Sequence, residues 1–69
     1  MKLSTRNQIA GTVQQVHGGE AMATVKVQLG GGDVITAAIT AEAVRDLGIE
    51  PGTSVTVLVK ATEVMLATE

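Results

Sequence analysis

Strict two-residue alternation of apolar side chains is the feature that most limits the folds open to this chain. From Ser54 to Lys60, Val55, Val57 and Val59 share one side while Thr56, Leu58 and Lys60 take the other. From Ala21 to Leu29, the residues Ala23, Val25, Val27 and Leu29 stand together against Thr24, Lys26 and Gln28. A period of two belongs to β-strands, whose successive side chains point to opposite faces, and not to the 3.6-residue period of a helix. Each stretch therefore predicts a strand with one face packed and the other toward water.

The remaining segments fit around these two. Gln8 to Val16 predicts a first strand, with Ile9, Gly11 and Val13 on one face and Val16 out of phase, as a β-bulge produces. His17-Gly18-Gly19-Glu20 reads as a turn, leaving His17 a solvated turn residue. Gly30-Gly31-Gly32-Asp33 reads as a hairpin into a third strand, Val34 to Ile39. It lacks the Lys-Ser/Thr and the following helix of a phosphate loop. Thr40 is placed to cap a short helix, Ala41 to Leu47, with Glu42 in its first turn, Arg45 in its last and Gly48 just beyond. Glu50-Pro51-Gly52 is a turn, Ser54 to Lys60 the fourth strand, and Val64 to Ala67 a short fifth. The expected fold is all-β with one short helix: a single domain over residues 1–69 built as a small five-stranded OB-like barrel, whose closure removes exposed strand edges.

Such a barrel is hard to stabilise alone. The chain has 69 residues and no Phe, Tyr, Trp or Cys, so its core is limited to small aliphatic side chains, and neither disulfides nor a cysteine zinc site can reinforce it. The expectation is a homo-oligomer that buries apolar surface between copies, with Met22 and Met65 filling core or interface. Absence of cysteine and of a signal-peptide-like or membrane-spanning apolar run predicts a soluble, cytoplasmic protein with no membrane partner. Five Lys and Arg against seven Asp and Glu give a net charge of -2, which predicts no nucleic-acid partner. A lone His and no close carboxylate pair leave few groups for acid–base chemistry, so no enzymatic activity and no direct protein ligands to a metal are expected.

What the chain does offer is donors. Ser4, Thr5, Arg6, Asn7 and Gln8 put two hydroxyls, a guanidinium and two carboxamides where the first strand begins. Lys60-Ala61-Thr62 puts an ammonium and a hydroxyl where the fourth ends. Taken singly, Arg6 is a surface charge, Lys60 an edge guard and Thr40 a helix cap. Taken together, the two clusters predict convergence on an oxyanion. Neither holds a carboxylate before Glu63, and a site without an acceptor suits a fully deprotonated anion better than a protonated one such as hydrogen phosphate.

The order Ser4-Thr5-Arg6-Asn7, Gly11, Gly30-Gly31-Gly32-Asp33, Leu47-Gly48, Pro51-Gly52 and Lys60-Ala61-Thr62 resembles the molbindins, the Mop or TOBE-type molybdate-binding domains, over nearly the whole chain, with Thr5 where the family usually has Ala. The resemblance implies an OB-like fold, a hexamer built as a trimer of dimers, and molybdate or tungstate bound between subunits for storage or homeostasis. Carried over, the oxyanion contacts are Ser4, Arg6, Thr40, Lys60, Ala61 and Thr62, with Thr5 and Asn7 as main-chain or flanking contributors. The alternative is an AbrB-like swapped-hairpin transcription factor, which the segment from Ala43 to Gly52 resembles. Its helix, however, would offer DNA only Arg45 beside Glu42 and Asp46.

Overall fold

A computed structural model describes residues 2–69. The elements run β1 (Asn7–Gly18), β2 (Met22–Leu29), β3 (Val34–Thr40), α1 (Ala41–Leu47) and β4 (Ser54–Val59), followed by a 3-10 turn at Ala61–Glu63. The four strands form one antiparallel sheet in the order β3-β2-β1-β4. The strand starts and ends shift by a residue or two from the sequence reading. The larger correction is His17, which lies in β1 opposite Thr24; the turn is tighter, closed by the Gly19 N–H donating to the Met22 carbonyl at 2.9 Å.

β1 is long because it serves two ladders. Asn7 to Thr12 pairs with β4, and Gly11 to Gly18 pairs with β2. The register slips between Val13 and Gln15, so Gln14 is the extra residue of a bulge, and Val16 regains the packed face opposite Val25 as its phase required. Gly11 belongs to both ladders, opposite Leu29 and Val55. A Cβ there would lie 2.5 Å from Val27 Cγ1 and 3.0 Å from the Gln28 carbonyl oxygen. The sheet curls tightly enough at this point that only glycine fits.

The curled face holds the core: Val13, Val25 and Val27, with Ile35, Ala37 and Ile39 of β3 and Val55 and Val57 of β4 packed against them. α1 covers one end. Thr40 Oγ1 accepts the Ala43 N–H at 3.0 Å, and Gly48 adopts φ 65, letting the Gly48 and Ile49 N–H groups close on Arg45 and Val44 carbonyls. Capping and termination are those the sequence predicts.

The barrel does not close within one chain. The four strands make a half-barrel, and Val64 to Ala67 is not a fifth strand: after the turn, closed by the Glu63 N–H on the Lys60 carbonyl at 2.8 Å, residues 64–69 run without a ladder. A strand needs a neighbour to satisfy its backbone, and among the described residues the tail has none. The free edges of β3 and β4 instead flank an apolar groove of about 470 Å³, lined by Val25, Val27, Ile39, Leu47, Ile49 and Val57 among others. Met65 and Leu66 remain 91% and 93% exposed. Met22, expected as core or interface, is half exposed and no part of this chain's core.

Candidate functional site

The ladder between β1 and β4 brings the two donor clusters together. Asn7 stands opposite Val59 in antiparallel register, so the residues one step beyond the ladder, Arg6 and Lys60, occupy facing positions. Two cations facing each other across an antiparallel pair destabilise it.

Local hydrogen bonds hold both sides of this pair. The Asn7 carboxamide Nδ2 donates to the Val59 carbonyl at 2.9 Å, a half-buried bond between residues 52 apart in sequence. Gln8 Nε2 donates to the Thr5 carbonyl at 2.8 Å and fixes the bend ahead of β1. On the other side the 3-10 turn uses the N–H groups of Glu63 and Val64. The first N–H groups of such a turn, here those of Ala61 and Thr62, have no partner within it. Ser4, Arg6, Lys60, Ala61 and Thr62 are exposed, and Thr5 and Asn7 are half-buried. The end of the sheet thus presents a guanidinium, an ammonium, the hydroxyls of Ser4, Thr5 and Thr62, and free turn amides.

Thr40 is elsewhere. It pairs with Met22 at the start of β2, beside the Gly18 end of β1. Asn7 and Gly18 bound the 12 residues of β1, roughly 36 Å along the strand at about 3.3 Å per residue. Within one chain the sheet therefore joins Ser4, Thr5, Arg6 and Asn7 to Lys60, Ala61 and Thr62 but leaves Thr40 at the opposite end, engaged as a helix cap. Gln8 gains its role only in the folded chain, through its bond to the Thr5 carbonyl. Its signal was there, a second carboxamide beside Asn7, but which carbonyl it ties depends on the bend at Ser4–Arg6.

Residues 3–66 match the TOBE domain. Molybdenum-pterin-binding protein 3 of Clostridium pasteurianum is 39% identical over 66 residues, 96% of this chain and 97% of its own length. A molybdate-binding protein from Sporomusa ovata superposes with a TM-score of 0.93 at 41% identity, over 99% of this chain and all of that one. ModG, a cytoplasmic molybdate-binding protein solved with molybdate bound, superposes with a TM-score of 0.85 at 43% identity, over 88% of this chain and 43% of its own. With a family match across nearly its whole length and a relative of equal size, the chain belongs to the TOBE domain family and groups with its molybdenum-pterin-binding members.

Proposed function

We propose that this protein binds molybdate or tungstate between copies of itself, as a non-catalytic cytoplasmic store. The observation that carries the reading is the Asn7–Val59 register, which makes neighbours of Arg6 and Lys60. Molybdate at neutral pH is a tetrahedral dianion with four acceptor oxygens and no proton. Two cations offset its charge, and hydroxyl and amide donors meet its oxygens. Of the relatives described above, two are titled as molybdate-binding, one of them with molybdate bound, and the third is named for molybdenum-pterin binding. The molybdenum-related names of these relatives favour this reading over the DNA-binding alternative.

Binding between subunits follows from exposure. In a lone chain both cationic residues are exposed, where solvent screens their attraction for an ion; cover from a second copy lowers the local dielectric and strengthens it severalfold. A neighbour is also the only way for Thr40 to reach the anion, since its own sheet holds it away. The unpaired tail supports the same assembly: seated in the groove of a neighbouring copy, Val64 to Ala67 becomes the fifth strand and closes the barrel. A hexamer arranged as a trimer of dimers is the assembly we infer, with residues 1–69 as one domain in each copy.

Calorimetric titration with molybdate, tungstate, sulfate and phosphate tests the reading. Saturation by molybdate and tungstate is expected. Arg6→Ala should weaken binding by roughly tenfold to 150-fold, the equivalent of about 1.5–3 kcal/mol for a charge-assisted contact, with assembly intact. Saturation by phosphate and not by molybdate overturns the assignment.

A further inference from the structure

Two hydrogen bonds at the site have a shared logic. Gln8 Nε2 holds the Thr5 carbonyl and Asn7 Nδ2 holds the Val59 carbonyl; these are the carbonyls immediately preceding Arg6 and Lys60. A trans peptide unit is planar, with its C=O and the following N–H pointing in opposite directions. Fixing the Thr5 oxygen therefore fixes the Arg6 N–H, and fixing the Val59 oxygen fixes the Lys60 N–H. Because the Val59 carbonyl points toward β1 to meet Asn7, the Lys60 N–H points away from β1, toward the free edge of β4. The same bonds tie up two carbonyl oxygens that would repel an anion if they turned toward it.

We propose that Asn7 and Gln8 are positioning residues for the oxyanion site: their carboxamides lock the peptide planes ahead of Arg6 and Lys60 before the ion arrives, and touch no ion themselves. This rests on the oxyanion reading and changes the role of Asn7 within it. Of the Asn7 carboxamide, Oδ1 is an acceptor that a dianion repels and one of the two Nδ2 hydrogens is committed to Val59, which leaves a single N–H for any direct contact. Preorganised donors bind more tightly because less ordering is left to do on association.

The test compares Asn7→Ala, Gln8→Ala and, as a control, Gln14→Ala. Gln14 donates its own carboxamide bond, to Gln28, from the bulge of the same strand and away from the site. Molybdate titration is expected to show a loss of about tenfold for Asn7→Ala and for Gln8→Ala, and none for Gln14→Ala, with the oligomer alike in all three. In the wild-type protein, the hydrogen-bonded one of the two Asn7 side-chain N–H signals in a 15N-labelled sample should be protected from solvent exchange without ligand, and neither should move much on saturation with molybdate, while the Arg6 Nε–H signal shifts. An NH2 group free before binding and shifted after it overturns the proposal in favour of direct contact, and this measurement decides even if a variant fails to assemble. Wild-type binding with Asn7→Ala and Gln8→Ala unchanged also overturns it. A wild-type protein that takes up no molybdate sinks the oxyanion reading, a result distinct from both.

Discussion

Leu66 offers a sharp measure of whether the tail finds a partner. In a single chain its side chain is 93% exposed, so Leu66→Ala removes no packing and should change stability by no more than about 0.5 kcal/mol. Seated in a neighbour's groove, the same side chain enters a site lined by Val, Ile and Leu, and truncating a buried leucine costs about 2–5 kcal/mol. That span corresponds to roughly 30-fold to several-thousand-fold in the association constant. Alternation adds a finer expectation: Val64 and Leu66 share one side of an extended tail and Met65 and Ala67 the other, so Leu66→Ala and Met65→Ala should differ, and the one facing the groove marks the register. The assay is size-exclusion chromatography with light scattering, paired with denaturant unfolding at two protein concentrations a hundredfold apart. An oligomer held by its tails should gain stability with concentration and lose much of that gain in the sensitive variant. If both variants match the wild type and the unfolding midpoint ignores concentration, the tail has no groove to fill and the reasoning fails.

Thr40 and Gly11 provide two further expectations. Thr40→Ala should cost about 1 kcal/mol through loss of the cap on the Ala43 N–H, measured by denaturant unfolding. Thr40→Asn should restore stability as a good cap, yet should still bind molybdate more weakly if a neighbour's Thr40 hydroxyl reaches the ion, which titration reads separately. Gly11→Ala forces a methyl against Val27 and the Gln28 carbonyl and should cost about 1–3 kcal/mol of stability; a variant as stable as the wild type would mean that the curl at this position is looser than described.

Much of this architecture was legible in the residues because it follows from local rules. The alternation in β2 and β4 located those strands, the phase break at Val16 located the bulge, and Thr40 with Gly48 bounded α1. The fifth strand was not legible as absent: Val64 to Ala67 has a strand's composition, but a strand exists only with a neighbour, and sequence does not say which chain supplies it. His17 was misplaced because two glycines follow it, while the cross-strand partner Thr24 extended β1 past it. At the site, the placement of Arg6 and Lys60 just past the β1–β4 ladder follows from both motifs lying at strand ends. Thr40's distance was not legible, because it depends on the sheet order. The Asn7 bond was hidden because only the folded register brings the Val59 carbonyl within reach, whereas the Gln8 bond depends on the local bend ahead of β1.

The Asn7–Val59 bond spans 52 positions, whereas β1 meets β2, and β2 meets β3, through tight hairpins. Near-neighbour hairpins can zip early, while this long-range closure joins the first segment of the chain to the last and carries the greatest loop entropy. An ion gripped there would act as a reversible staple on both termini, so that filling the store and fastening the fold become one event. Emptied of its ion, each copy should lose that added fastening and melt earlier, while the Asn7 and Gln8 bonds keep the end in place.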